Sequence, residues 1–214
     1  DEFVTEEDGF RMYRQPEDGK TYVVGADVAE GVLGGDYSSA VIFDRATGEE
    51  VAFYRGLIAP DRFAQKLDVW GRKYNNALMV VEVNNHGLTT LTVLKQLAYP
   101  TLYFRPNKLE NIGSPWTLYD KIGWRTTKVT RPLMIDDLAQ ALRDDILTIH
   151  SKETLNEMLT FVYDSKNDMV AQEGMHDDCL FASAIGFQGF KVIHDKPLNQ
   201  LDYFNHKTAF SYGF

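Results

Sequence analysis

The fold of this chain is indicated most clearly by residues 22–57, YVVGADVAEGVLGGDYSSAVIFDRATGEEVAFYRGL. This stretch contains three runs rich in β-branched and aromatic residues, at Tyr22–Val28, Tyr37–Asp44 and Glu50–Leu57. Residues 46–48, Ala-Thr-Gly, are typical of a turn between the last two runs. Short connections of this kind join antiparallel neighbours, so the stretch predicts a three-stranded meander.

Beyond residue 57 the pattern alternates between helical and extended segments. A helix opens at Pro60, with Phe63, Leu67, Trp70 and Tyr74 at helical spacing. Residues 106–130 predict irregular or hairpin-like structure. The other predicted elements are the strand Ala77–Val83, the helix Gly87–Ala98, the strand Thr101–Arg105, the helix Pro132–Asp144, an extended piece Ile146–His150, a helix from Ser151 to Tyr163, a short strand Asp168–Ala171 and the helix His176–Phe190.

This element order indicates a fold class. Three antiparallel strands followed by α/β crossovers predict an α/β protein with a mixed central sheet and helices on both of its faces. The order is that of the ribonuclease H-like fold. In the helix that begins at Ser151, we expect Leu155, Met158, Leu159 and Val162 to be buried.

The composition is that of a globular domain. With 214 residues, 44% of them hydrophobic and 25% charged, the chain is long enough for a sizeable core and too apolar for disorder. Residues 1–20 predict a polar lead-in or linker remnant, residues 21–190 the ribonuclease H-like domain, and residues 191–214 an aromatic C-terminal tail. The single cysteine, Cys179, excludes an internal disulfide and a zinc site built from several cysteines.

The net charge of −9 argues mildly against a nucleic acid as partner, because nucleic-acid binders are usually basic. The distribution of charge weakens that argument. Residues 101–131 hold six basic residues against two acidic ones, and a local positive surface attracts phosphate even on an acidic protein. The alternative is an ordinary solvated loop of mixed charge.

Four acidic residues stand out by their context. Asp27 ends the first predicted strand of the meander, Glu82 ends the strand Ala77–Val83, and Asp177 and Asp178 begin the last helix. If the strands Tyr22–Val28 and Ala77–Val83 are parallel neighbours, Asp27 and Glu82 lie side by side at their carboxyl ends, where open α/β sheets place their sites. Clustered carboxylates repel one another unless a cation neutralises them, and oxygen ligands favour Mg²⁺ or Mn²⁺.

Each of these acids also has a structural interpretation. Asp27 is a common type of turn residue, and the Asp177-Asp178 pair suits a helix N-terminus. Glu82 is harder to explain in that way, because it interrupts a buried run with no Lys or Arg nearby in sequence. Three further residues are auxiliary candidates in the same region: Asp36, His86 and His176.

Several common enzyme motifs are missing from the sequence. It contains no Gly-x-Ser-x-Gly, no His-Glu-x-x-His and no Gly-x-x-x-x-Gly-Lys-Ser/Thr. The segments Gly25-Ala26-Asp27 and Gly34-Gly35-Asp36 allow the alternative of a fragment of an actin-like or sugar-kinase-type ATPase. The chain is too short for the two lobes of such enzymes.

Several motifs together resemble the nuclease domain of the large terminase subunit of tailed bacteriophages, the DNA-packaging motor protein. The matching segments are Val24–Gly31 with Asp36–Ser38, Val81–Gly87, Thr127–Pro132 and Gly174–Asp178. The resemblance implies a ribonuclease H-like nuclease that cuts concatemeric viral DNA with two divalent ions, Mg²⁺ or Mn²⁺. It implies that Asp27, Glu82 and Asp178 are metal-binding acids, with Asp177 as an adjacent candidate.

The same resemblance implies a set of partners. Double-stranded DNA would be contacted through its phosphates, and Arg125, Lys128 and Arg131 are the candidates for these contacts. The portal protein, the small terminase subunit and the ATPase domain of the full-length protein are further expected partners. No membrane association is expected, and the implied location is the cytoplasm of the host cell.

Two other functions are compatible with the sequence. One is a Holliday-junction resolvase or transposase-like nuclease of the same fold. The other is a non-catalytic docking module, in which the acids are structural and the tail binds a partner. The aromatic residues of that tail are Tyr203, Phe204, Phe210, Tyr212 and Phe214.

Overall fold

The computed structural model describes residues 4–105, 122–164 and 169–191. The strands are β1 (Thr5–Glu7), β2 (Phe10–Met12), β3 (Tyr22–Asp27), β4 (Ser38–Asp44), β5 (Glu50–Gly56), β6 (Leu78–Val81), β7 (Phe161–Tyr163) and β8 (Met169–Ala171). The helices are α1 (Pro60–Lys73), α2 (Asn85–Gln96), α3 (Thr130–Arg143), α4 (Lys152–Thr160) and α5 (Asp178–Phe190). The hairpin prediction for 106–121, Asp168 and the tail from 192 lie outside the described residues.

The predicted meander is present at the centre of a six-stranded mixed sheet. Its strands lie in the order β1-β2-β5-β4-β3-β6. Strand β4 pairs antiparallel with both β3 and β5, whereas β6 pairs parallel with β3. The parallel pair places Ala26 opposite Val81, so both strands end at the same edge of the sheet.

Helices cover both faces of the sheet, as predicted. Because successive side chains of a strand point to opposite faces, Val24 and Ala26 pack with residues of α1 and α2. Val23 on the other face packs with residues of α3 and α5. The two apolar clusters bury all of β4 and all of β3 except Asp27, which explains why both strands read as nearly continuous apolar runs.

Helix α5 packs unusually close to β3. A Cβ atom at Gly25 would overlap the carbonyl oxygen of Ala182 and lie 2.5 Å from the Cα of Gly186. The helix therefore rests on the strand through two glycines, and its first residue, Asp178, is brought to the end of the strand where Asp27 lies.

Residues 5–12, which were predicted to belong to a polar lead-in or linker remnant, instead form two strands of the sheet. Strand β2 pairs antiparallel with β5 and extends the central sheet, and β1 pairs with β2. Phe10 is fully buried and stacks on Trp70 of α1, with ring centroids 4.3 Å apart. Three-residue strands carry too short a pattern to be recognised from sequence.

The prediction for the segment 151–163 is also partly wrong. Helix α4 ends at Thr160, and residues 161–163 form β7, which pairs with β8. Leu155 and Leu159 are 42% and 81% exposed, whereas Glu157 is buried. The helix turns polar side chains inward because they have polar partners there. Glu157, for example, accepts hydrogen bonds from the amides of Cys179 and Leu180.

Two smaller differences concern strand and helix limits. The predicted strand Thr101–Arg105 makes only isolated bridges, Leu102 with Met79 and Phe104 with Ile122. The last helix begins two residues later than predicted, at Asp178. Within the described ranges, no helix combines the length and the apolar character needed to cross a bilayer.

Candidate metal centre

The carboxyl ends of β3 and β6 bring Asp27 and Glu82 together. The amide of Glu82 donates a hydrogen bond to the carbonyl of Ala26 (2.9 Å), which continues the parallel ladder by one residue. Burial raises the pKa of Asp27 well above its usual value, and the charge of Glu82 raises it further.

Asn84 holds Glu82 in place, although sequence reasoning did not single it out. Its Nδ2 donates to Oε2 of Glu82 (3.0 Å) and to the carbonyl of Val28 (2.9 Å). Its Oδ1 accepts from the amide of Gly87 (2.6 Å) and so caps α2. An Asn that precedes a helix by one residue and follows a strand-end Glu by two is the sequence signal that would have found it.

Asp178 enters the same cleft from α5. Its carboxylate is buried, and Oδ2 accepts a hydrogen bond from the amide of Tyr37 (3.2 Å). Burial raises the pKa of Asp178 to about 7, helped by the charges of Glu157, Asp36 and Asp177. Asp178 is also one of the acids whose charge raises the pKa of Asp27.

The structure separates the two members of the Asp177-Asp178 pair. Asp177 is half-buried, and its Oδ2 lies 3.3 Å from a guanidinium nitrogen of Arg131. Burial still raises the pKa of Asp177, although Arg131 opposes that shift. Asp177 therefore has a cationic partner. Within the described ranges, no Lys or Arg lies within 4.0 Å of the carboxylates of Asp27, Glu82 or Asp178.

The three auxiliary candidates lie at the edge of this region. Nδ1 of His176 lies 3.6 Å from Oδ2 of Asp178 and 3.8 Å from Oδ1 of Asp36. One ligand atom from each of Asp36, His176 and Asp178 lies within 4.8 Å of the other two, a spacing that suits a metal ion. His86 lines the cleft together with Asp36.

These side chains surround one open cleft of about 440 Å³, which Asp27, Glu82, Asp177 and Asp178 all line. The acids come from β3, from the end of β6 and from the start of α5, so they are far apart in sequence. A group of mutually repelling oxygen donors fits a hard divalent cation, whose positive charge would offset their repulsion.

The three predicted phosphate-contacting residues differ in their surroundings. Arg131 lines the cleft but is paired with Asp177, and its guanidinium lies 4.7 Å from the ring centroid of Phe181. Arg125 and Lys128 are exposed in the segment before α3. These two residues are therefore accessible to a nucleic-acid backbone, whereas Arg131 has a structural partner.

The sheet order, the helices on both faces and the acids at the shared strand edge define the ribonuclease H-like α/β class predicted from the sequence. No protein-family model matches the chain. Among solved structures, it is similar to the magnesium-bound nuclease of the large terminase from thermophilic phage G20c, with a TM-score of 0.67, 16% identity and coverage of 86% of this chain and 89% of that one.

A second similar structure is the large terminase nuclease domain of Thermus phage P74-26. The TM-score is 0.62 with 16% identity, and the match covers 90% of this chain and 92% of that one. At this identity the similarity establishes the fold. The resemblance to terminase nuclease domains noted from the sequence motifs is thus confirmed at the level of the fold.

Proposed function

We propose that this chain is a divalent-metal-dependent endonuclease that hydrolyses DNA phosphodiester bonds, and that it cuts concatemeric viral DNA during genome packaging. One observation carries the proposal. Asp27, Glu82 and Asp178 converge from three separate elements in a cleft, with no Lys or Arg of the described ranges within 4.0 Å of them. The fold shared with terminase nucleases, one of which was crystallised with magnesium, supports it.

The oxygen donors fit Mg²⁺ or Mn²⁺, and we assign the binding of two ions to them. Asp27 would be the central metal-holding acid, because the charges of both Glu82 and Asp178 act on it. Glu82 and Asp178 would each hold one ion, with Asp177 as a neighbour already paired to Arg131. Bound ions would supply an activated water and would stabilise the leaving oxygen of the scissile phosphate.

The protein's own residues prepare the cleft for this chemistry. Asn84 orients Glu82, and the amide of Tyr37 orients Asp178. Because the pKa of Asp27 is raised, a bound cation competes with a proton for this carboxylate, so metal binding releases protons. Arg125 and Lys128 would contact DNA phosphates without reading the sequence.

The proposed function also implies partners and a location. We propose that the domain works beside the ATPase domain of a full-length terminase, with the small terminase subunit and the portal protein as assembly partners. Its place of action would be the host cytoplasm. These assignments rest on the shared fold and on the sequence motifs.

The test is cleavage of supercoiled plasmid DNA in Mg²⁺ or Mn²⁺ by the wild type and by Asp27→Asn. The variant keeps the size of the side chain but replaces one acceptor oxygen by an amide donor and removes the negative charge, so we expect folded protein with cleavage lost. The exposed Asp61→Asn on α1 is the matched control and should cut like the wild type. Wild-type cleavage by Asp27→Asn would refute the proposal, and preferential cutting of branched DNA would favour a resolvase instead.

A further inference from the structure

Glu157 is a buried carboxylate that the proposed chemistry does not use. It lies on α4, and only 6% of its surface is exposed to solvent. It faces away from the exposed Leu155 and Leu159 of the same helix. Burying a carboxylate is costly unless strong hydrogen bonds compensate it. Its partners therefore indicate what it does.

Oε2 of Glu157 accepts two backbone hydrogen bonds, from the amide of Cys179 (2.7 Å) and from the amide of Leu180 (2.9 Å). These are the second and third residues of α5, directly after Asp178. The N-cap residue Asp177 makes no side-chain cap to this helix. Glu157 thus provides, from another helix, the cap that α5 lacks locally.

A second chain of contacts also links Glu157 to Asp178. Oε1 of Glu157 lies 3.9 Å from Nε of Arg55 on β5. The guanidinium of Arg55 lies 3.7 Å from the ring centroid of Tyr37, and the amide of Tyr37 donates to Oδ2 of Asp178. Glu157, Arg55, Tyr37 and the start of α5 form a closed ring of contacts around Asp178.

We infer that Glu157 is a positioning residue for the metal centre: it anchors the first turn of α5 so that Asp178 is held in ligand geometry. This inference rests on the proposed function. The effect passes through two backbone amides and does not require Glu157 to touch a metal ion. Groups that orient a metal ligand typically contribute about 10- to 100-fold to metal affinity.

The experiment measures Mn²⁺ binding by the electron paramagnetic resonance of free Mn²⁺, separately from cleavage, for the wild type, Glu157→Ala and Glu157→Gln. The carbonyl oxygen of Gln can accept from both amides, so Glu157→Gln should bind Mn²⁺ within about threefold of the wild type. Glu157→Ala leaves the amides without their acceptor, and its dissociation constant should rise about tenfold or more.

Cleavage measured against Mn²⁺ concentration separates positioning from a purely structural role. A positioning role raises the half-saturating Mn²⁺ concentration of Glu157→Ala, while the rate at saturating metal falls much less. A purely structural role lowers the amount of active protein, so it reduces the rate at saturation and leaves half-saturation unchanged. Glu153→Gln, on the same helix and paired with Arg11 (2.8 Å), is the matched control and should behave like the wild type.

Three results would overturn the inference. One is wild-type Mn²⁺ affinity in folded Glu157→Ala. Another is equal weakening in Glu157→Gln and Glu157→Ala, because that would assign the effect to charge. The third is an unchanged half-saturation in Glu157→Ala. If Glu157→Ala does not fold, Glu157→Asp applies the same test, since its shorter side chain keeps the charge but cannot reach both amides. Failure of the proposed function would be distinct: the wild type itself would bind no Mn²⁺ and cut no DNA.

Discussion

Replacing Gly25 by Ala tests whether the close packing of α5 on β3 sets the geometry of the proposed metal centre. The added Cβ would overlap the carbonyl oxygen of Ala182 and lie 2.5 Å from the Cα of Gly186, where ordinary contacts begin at 3.4 Å. Since these atoms are backbone and cannot rotate away, α5 has to retreat by about 1 Å. Asp178, the first residue of the helix, would move with it.

Both stability and activity should respond to this shift. Overpacking of a tight core costs about 1–3 kcal/mol of unfolding free energy. Misplacement of a reacting group by about 1 Å can cost about 100-fold in rate. We therefore expect Gly25→Ala to remain folded with a lower melting temperature and to cut plasmid DNA about 100-fold more slowly at a fixed, subsaturating Mg²⁺ concentration.

The graded control is Gly186→Ala, on the helix side of the same contact. Its Cβ would lie 3.2 Å from the backbone of Gly25 and 3.3 Å from the ring of Phe43, so a few tenths of an ångström suffice to relieve it. We expect a smaller loss of both stability and cleavage, with circular dichroism confirming that each variant is folded. A folded Gly25→Ala that melts and cuts like the wild type would refute the packing argument.

Three further predictions concern protons, ligand orientation and DNA. Because burial raises the pKa of Asp178 to about 7, the folded protein holds this proton more tightly than the unfolded one. Metal-free stability should therefore fall as the pH rises from about 4 to about 7, and Mg²⁺ should raise the melting temperature more at about pH 8 than at about pH 6. Equal shifts at both pH values would contradict this sign. Asn84→Ala should raise the half-saturating Mn²⁺ concentration about tenfold, because Glu82 loses its amide partner, and should cost about 1 kcal/mol through the lost cap of α2; unchanged metal dependence would show that Glu82 needs no such support. The double variant Arg125→Glu with Lys128→Glu should weaken DNA binding and reduce the slope of log affinity against log salt by about two in filter-binding titrations, and an unaltered slope would exclude both residues from phosphate contact.

The adjacency of Asp27 and Glu82 was predictable from the chain alone. Each acid ends a buried apolar run, and neighbouring parallel strands have their carboxyl ends at the same edge of a sheet. The apolar run of β3 and the turn at residues 46–48 were equally visible in the sequence. Such local signals predict the folded structure because burial on a strand or helix face depends on residue type and spacing.

The different surroundings of Asp177 and Asp178 were not predictable. Arg131 pairs with one of them, and Tyr37 and Glu157 arrange the other, and all of these contacts join distant parts of the chain. The inward-facing residues of α4 and the sheet contacts of Phe10 likewise depend on distant parts of the chain. A buried polar residue looks like a break in the pattern until its partner is known.

The amino-acid sequence by itself determined the mixed sheet and the edge of the sheet at which the acidic residues collect, because hydrophobic periodicity and strand direction are encoded locally. The tertiary structure was needed to show that Asp177 pairs with Arg131, whereas no Lys or Arg of the described ranges lies within 4.0 Å of Asp27, Glu82 or Asp178. Ion pairs and hydrogen bonds between distant segments depend on how closely α5 packs against Gly25.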